Sequence, residues 1–252
     1  MIDDNLLDEF LDATYRTKYT EQGSEQWEKL RVGRFTSSEF YKLMECGFRP
    51  MTPQELAARP KSGKGSKTTR VPDPKTMGKA GITYIRQKVW ETLTGQIKSS
   101  SYAYPIVYGK EMEDEAVEHF EKTYGLETTK VGFQPWTDHA GGSPDRLIED
   151  KEGLEIKCPF SDEQIDYLML TDHWDLKALY PAYYWQCVTL LLFTGRERWR
   201  FCTYDPRMED EKLKMTHLII ERDKVTEDLE LIPVVLASAV EEKLKLIQTI
   251  KG

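Results

Sequence analysis

Gly141-Gly142-Ser143-Pro144-Asp145, followed by Gly153-Leu154-Glu155-Ile156-Lys157-Cys158-Pro159, decides how this chain is read. Gly153-Leu154 opens a strand, and Cys158-Pro159 closes it, because proline has no N–H to continue a ladder. Residues 145–149 read as the preceding strand and residues 149–153 as the hairpin turn between the two. Side chains alternate along a strand, so Glu155 and Lys157 project to the same side. Asp145 and Glu155 then sit at neighbouring positions on paired strands. Two carboxylates and one ammonium converging on a point can hold a hard divalent cation and polarise a water, which is the minimum needed to hydrolyse a phosphodiester. An acid and a lysine two apart on a strand are more often a solvated pair of small energetic worth. It is the turn and strand punctuation around this pair that favours a site.

The 252 residues suffice for one large domain or two small ones, and a hydrophobic content of 39% is ordinary for a globular protein. No apolar run approaches the roughly 18 residues of a membrane span. The acidic N-terminus lacks the apolar core of a secretory signal. Four scattered cysteines with no CxxC fit reduced thiols, so the expectation is a soluble, cytoplasmic protein. Net charge is −8, yet residues 59–79 carry seven basic side chains against Asp73 alone, which makes that segment +6 and the remainder −14. An acidic body with one basic strip suits a partner that touches a defined face.

Periodicity and punctuation predict helices at 3–19 and 24–31. Thr36-Ser37-Ser38-Glu39 has the form of a capping box opening a helix through Met44. Residues 47–79, rich in Gly, Pro, Ser and Lys, read as a long mobile loop. Helices are predicted at 80–93 and 110–124, each stopped by a glycine. Strands are predicted at 127–133, 139–149 and 153–158, then a helix at 181–193, strands at 198–204 and 215–221, and a last helix at 225–250. With no repeat and no clear boundary, the order implies a single α/β domain over residues 1–252 around a central mixed β-sheet flanked by helices.

Other residues could complete the site. In Glu111-Met112-Glu113-Asp114-Glu115, Glu113 is either part of a solvated acidic face or a third acid facing the sheet. Gln186, alone on an almost wholly apolar helix, is either a satisfied core amide or a group orienting Lys157 or the attacking water. Arg31, Arg34 and Thr36-Ser37-Ser38 form a second cluster that could receive a terminal phosphate; alternatively, Thr36 and Glu39 merely cap one another. His119, His139, His173 and His217 are isolated and read as structural. The oxygen-only set of acids favours Mg²⁺ or Mn²⁺ over zinc.

These stretches resemble the lambda exonuclease and YqaJ-type viral recombination nuclease family of the PD-(D/E)xK superfamily. The resemblance is carried by Trp27-Glu28-Lys29-Leu30-Arg31-Val32-Gly33 through Ser37-Ser38-Glu39 and by Tyr108-Gly109-Lys110-Glu111-Met112-Glu113-Asp114-Glu115-Ala116. It continues through Ser143-Pro144-Asp145, residues 153–160, Ala182-Tyr183 with Gln186, Tyr204-Asp205-Pro206-Arg207-Met208 and Ile219-Ile220-Glu221-Arg222-Asp223. It implies a restriction-endonuclease-like core and a Mg²⁺-dependent 5′→3′ exonuclease (Mn²⁺ substituting). Such an enzyme digests one strand of linear double-stranded DNA from 5′-phosphorylated ends, releasing mononucleotides. The implied partners are two further copies in a homotrimeric ring and a single-strand annealing protein. By likeness, Asp145, Glu155 and the Ile156 carbonyl hold metal, Lys157 activates water, Glu113 holds a second metal or its water, and Gln186 positions Lys157. Arg31 and Ser38 receive the 5′-phosphate, helped by Ser143. Ile106 falls where the family uses an apolar wedge, although a core isoleucine is the simpler expectation. The segment 47–79 departs from the phage protein, so no DNA contacts are implied for it. The rivals are an endonuclease or helicase-associated nuclease of the same superfamily, and a catalytically silent DNA-end-binding module. Unclustered cysteines count against the iron–sulfur members of the former, and the intact acid–acid–lysine set against the latter.

Overall fold

Between the predicted strands at 153–158 and 198–204 the chain must cross over, and it does so through the apolar helix expected at 181–193. The computed structural model describes residues 22–58, 70–98 and 104–252. The helix expected at 3–19 and residues 59–69 of the basic segment lie outside the described residues. In chain order the elements are α1 (Glu25–Arg31), β1 (Phe35–Thr36), a 3-10 turn (Ser37–Glu39), α2 (Tyr41–Met44), β2 (Cys46–Pro50), α3 (Pro53–Ala57), β3 (Arg70–Met77), α4 (Lys79–Thr94) and α5 (Tyr104–Tyr124). There follow β4 (Gln134–Thr137), β5 (Ala140–Gly142), β6 (Arg146–Ile148), β7 (Glu152–Lys157), α6 (Gln164–Leu168), α7 (His173–Leu179), α8 (Pro181–Phe193), β8 (Arg198–Tyr204), α9 (Glu211–Lys214), β9 (Met215–Glu221) and α10 (Thr226–Lys251).

The larger sheet runs β6-β7-β8-β9, with β7 and β8 parallel and the outer pairs antiparallel, so it is mixed, as expected. The parallel pair requires a long crossover, and α6–α8 supply it. Pro181 starts α8 at a position whose N–H would have had no partner. The helix is apolar on nearly all sides because it lies between two sheets, touching β7 and β8 on one side and β4 and β5 of the small sheet β1-β5-β4 on the other. Tyr184, Cys187, Val188, Leu190 and Leu191 are completely buried there.

The faces of the larger sheet divide by alternation. Leu154, Ile156 and Cys202 pack with Ala116, Val117 and Phe120 of α5. Trp199 and Phe201 join the core around α8. Gly153, Glu155 and Lys157 therefore share the α8 face, whereas their neighbours face α5. Gly153 is opposite Trp199 in the parallel register. A Cβ there would overlap the indole ring, so only glycine lets Trp199 lie flat across β7.

Several expectations are corrected. The capping box at 36–39 does not form: Thr36 Oγ1 lies 3.2 Å from Tyr84 Oη, and Glu39 pairs with Lys42. A box with both reciprocal bonds forms instead at Thr52 and Glu55, inside the segment expected to be a loop. There β2 and β3 pair antiparallel, and prolines are tolerated because a two-stranded ribbon leaves half its N–H groups free. No strand occupies 127–133; one bridge, Thr129 to Leu147, is all the pairing found there, although Val131 and Phe133 are buried. The strand expected at 139–149 splits, with β5 in the small sheet and β6 in the large one, around Pro144, which cannot donate. Ile106 is 45% exposed near the start of α5 and is not a core residue.

Gly153→Ala should destabilise the protein by about 1–3 kcal/mol through overpacking against Trp199, read as a lower denaturation midpoint; an unchanged midpoint would contradict the packing. Acid should weaken the fold through His217. Its Nε2 lies 3.2 Å from Arg200 Nη1, and Tyr124 packs edge-on against the ring. Burial, then the Arg200 charge, hold its pKa below the ordinary value, with Glu152 opposing. The neutral form is favoured when folded, so this stability is present above about pH 6.5 and is lost as pH falls through the depressed folded value. A His217→Gln variant should show a flatter decline of melting temperature below pH 6.5; an identical slope would remove His217 as the cause.

Candidate active site

The β6–β7 register pairs Arg146 with Leu154, and one step further it sets Asp145 opposite Glu155. Glu155 lies on the α8 side of the sheet, with Asp145 across from it on the neighbouring strand. Glu155 is completely buried. Its Oε1 accepts the Gln186 amide at 2.6 Å and the Lys157 ammonium. Its Oε2 has no donor among the described residues. Asp145 Oδ2 accepts the Ile156 N–H at 2.8 Å, which locks the aspartate to the strand bearing Glu155 and Lys157.

Burial raises the pKa of both acids, and for Asp145 the charge of Glu155 adds to it. Lys157 behaves oppositely. Burial disfavours its charge, but Glu155 and Asp145 outweigh that and hold the ammonium above its ordinary range. Nζ also lies 5.3 Å over the Tyr183 ring. The result is a compact group of two acids and one ammonium with one unused carboxylate oxygen.

Glu113 approaches from the α5 side. Arg146, facing α5 by alternation, donates to Glu113 Oε1 at 2.8 Å and to Asp114 Oδ1 at 2.9 Å. Burial and the Asp145 charge raise the Glu113 pKa, so Glu113 stands within electrostatic reach of the carboxylate pair. Asp114 remains exposed, and Glu115 accepts from Tyr204 Oη at 2.9 Å. Gln186 is buried and its amide is spent on Glu155, not on Lys157. It therefore bears on the lysine only through the oxygen they share.

The second cluster adjoins the first. β1 and β5 run parallel with Thr36 opposite Gly141, so Ser38 and Ser143 leave the small sheet at one edge, two residues beyond that pair. Trp27 joins Arg31 to this edge: its Nε1–H donates to Ser143 Oγ at 2.9 Å, and the Arg31 guanidinium lies 3.9 Å over its ring. Burial pulls the Arg31 pKa down, with Tyr84 and Glu39 opposing, and no carboxylate among the described residues pairs with it. Ser38 is exposed. Arg34 lies apart from this group: its Nη1 donates to the Leu30 carbonyl, and the acid that registers on it is Asp138. Ser143-Pro144-Asp145 connects the two clusters covalently.

Sequence reasoning assigned no role to Trp27, Arg146, Tyr183 or Arg207. Trp27 was discoverable from its i,i+4 spacing to Arg31 on one helix. Arg207 in Tyr204-Asp205-Pro206-Arg207 bonds both Asp205 oxygens and the carbonyls of Pro159, Phe160 and Ser161, pinning the loop that follows Lys157. No local pattern announces that contact.

Among the described residues no group of three or more His, Cys, Asp or Glu side chains is arranged to hold a metal ion. The donors that fit are two carboxylates, one with the unpartnered Oε2, in a buried site whose acids gain from a cation. Oxygen donors of this kind suit Mg²⁺ or Mn²⁺. The histidines stay dispersed and the four cysteines are free.

Residues 26–197 match the YqaJ-like viral recombinase domain. No curated protein matches the chain in sequence. An alkaline exonuclease from Laribacter hongkongensis is similar in structure, with a TM-score of 0.67, 23% identity, and coverage of 90% of this chain and 96% of that one. The same enzyme in complex with dAMP gives 0.66. A phage-related exonuclease from Haemophilus somnus is similar with a TM-score of 0.62 at 14% identity, over 86% of this chain and 96% of the other. The chain thus shares their fold.

Asp145→Asn keeps an acceptor for the Ile156 N–H and removes one of two facing charges. In metal-free buffer it should raise the unfolding free energy by about 1 kcal/mol; a loss of stability would contradict the repulsion described here.

Proposed function

The chain belongs to the YqaJ-like viral recombinase domain family, and on that premise we propose that it is a metal-dependent exodeoxyribonuclease acting on the ends of linear double-stranded DNA. The observation that carries this is the Asp145–Glu155 pair on one strand hairpin, Glu155 completely buried and Asp145 half-buried, with Lys157 on the same face as Glu155 and one carboxylate oxygen unpartnered. The exonuclease names of the similar structures, one of them bound to dAMP, agree with it.

Asp145, Glu155 and the Ile156 carbonyl would hold Mg²⁺ or Mn²⁺, with Glu113 near enough to take part through water. A divalent ion there supplies neutralising charge for the phosphodiester and lowers the pKa of a bound water. Lys157 stands where its Nζ can donate to a scissile phosphate oxygen or exchange a proton with the attacking water. Its charge is set by how much of the carboxylates' charge is left uncompensated. Gln186 holds Glu155 in place from α8. Arg31, Ser38 and Ser143 form the end-recognition group: a guanidinium without a carboxylate partner among the described residues, beside hydroxyls, suits a terminal 5′-phosphate. Bound there, a 5′-end would be held next to the cutting group through Ser143-Pro144-Asp145. This arrangement supports 5′→3′ digestion that releases mononucleotides and leaves a 3′ single strand for recombination by annealing. A ring of three subunits and a single-strand annealing partner follow from family likeness, and a segment of charge +6 at 59–79 on an acidic chain agrees with a polyanionic substrate. Among the described residues no helix is long and apolar enough to cross a membrane.

Digestion of end-labelled linear duplex should require Mg²⁺ or Mn²⁺, stop with chelator, and spare closed circles. Lys157→Ala should lower the rate by at least about 100-fold while end binding survives; digestion at the unmodified rate would remove Lys157 from the chemistry. Linear duplex with 5′-phosphates should be digested faster than duplex with 5′-hydroxyls, and Arg31→Ala should erase the difference. Equal rates in the unmodified protein would withdraw the end-recognition role.

A further inference from the structure

Three ionisable side chains are buried in a place the chemistry above does not use. Glu91 is completely buried, Lys88 is 3% exposed and Lys243 5% exposed. Glu91 and Lys243 both bond Gly33, in the turn between α1 and β1, and Lys88 reaches it through Glu91. The Gly33 N–H donates to Glu91 Oε2 at 3.1 Å, and the Gly33 carbonyl accepts from Lys243 Nζ at 2.8 Å. Glu91 is itself held by Lys88 Nζ at 2.8 Å and Gln87 Nε2 at 2.9 Å. Gly33 has φ +70°, and a Cβ there would collide with Thr92. Both polar atoms of one left-handed glycine are thus gripped by charges from two distant helices, α4 and α10.

Burying charges costs much of what their pairing returns, and apolar side chains in their place are often at least as stabilising. Their arrangement shows what they hold. Tyr84, Lys88 and Glu91 lie at i, i+4 and i+7, along one face of α4. Glu91 fixes Gly33, two residues after Arg31. Tyr84 Oη accepts the Thr36 N–H at 2.8 Å, two residues before Ser38. Lys88 bridges the two, with its Nζ 5.1 Å over the Tyr84 ring and bonded to Glu91. One helix face therefore sets the spacing between Arg31 and Ser38, and Lys243 closes the grip from α10.

We propose that Glu91, Lys88 and Lys243 are positioning residues for end recognition, holding the Gly33 turn so that Arg31 meets a 5′-phosphate together with Ser38 and Ser143. This rests on the end-recognition role proposed above and adds to it residues that touch no DNA.

The test compares initial rates on 5′-phosphorylated and 5′-hydroxyl linear duplex for the full-length protein, Lys243→Met, Lys243→Arg and Glu91→Gln. Lys243→Met cannot donate to the Gly33 carbonyl. It should lose about tenfold on phosphorylated ends, mainly in KM, and far less on hydroxyl ends. Lys243→Arg, which keeps a donor, should restore most of the preference. Glu91→Gln keeps an acceptor for the Gly33 N–H but loosens Lys88; it should show the same selective loss, and it decides the matter if Lys243→Met does not fold. A parallel fall on both kinds of end, or a phosphate preference kept in both Lys243→Met and Glu91→Gln, overturns the inference and leaves the end-recognition role standing. Absence of any phosphate preference in the unmodified protein overturns both.

Discussion

A carboxylate with no exposure to solvent sets the terms for this structure. Glu155 is tolerable at the centre of the sheet only because Lys157 and Gln186 share one of its oxygens, while the other is left without a donor among the described residues. Such a group is costly unless something completes it. The elements around it are arranged to supply the completion. β6 brings Asp145 opposite, α8 brings the amide, and Arg207 ties down the loop after Lys157. A divalent cation answers both the missing partner and the burial that raises the pKa of each acid, to which the Glu155 charge adds at Asp145.

The small sheet gives this centre its direction. Because β1 and β5 are parallel, the edge that carries Ser38 also carries Ser143, and Ser143 is two residues from Asp145. Trp27 then joins Arg31 to the same edge. A ligand with a terminal phosphate and a scissile phosphodiester would span two groups linked by three consecutive residues. Stability is given up at both places: repelling acids in one, and three buried charges around Gly33 in the other. That pattern is the one expected where geometry matters more than folding free energy.

How much of this was legible depended on whether the signal was local. The hairpin at 145–157 was readable because Gly153 and Pro159 punctuate it and the period of two assigns the faces. Helix α8 was readable from Pro181, its apolar run and Gly195. The failures came where distant residues compete. Thr36 resembles a cap, but Tyr84, 48 positions away, takes its hydroxyl. Residues 139–149 look continuous, yet the chain changes sheets at Pro144, which no period reveals. The segment 47–79 has loop composition, but its two ends pair as β2 and β3. At the site, Asp145, Glu155 and Lys157 were visible as a spacing, Arg31 and Ser38 as a candidate phosphate cluster, and Ser143 through family likeness. Arg146, Tyr183 and the Gly33 grip depend on which helix covers which face, so only the fold discloses them.

The most direct test of the central claim is calorimetric titration of Mn²⁺ into metal-free protein and into a Glu155→Gln variant of unchanged circular dichroism. The account predicts saturable binding to the protein and little or none to the variant, because the unpartnered carboxylate oxygen is what the ion would occupy. Equal binding to both, or none to either, would contradict it.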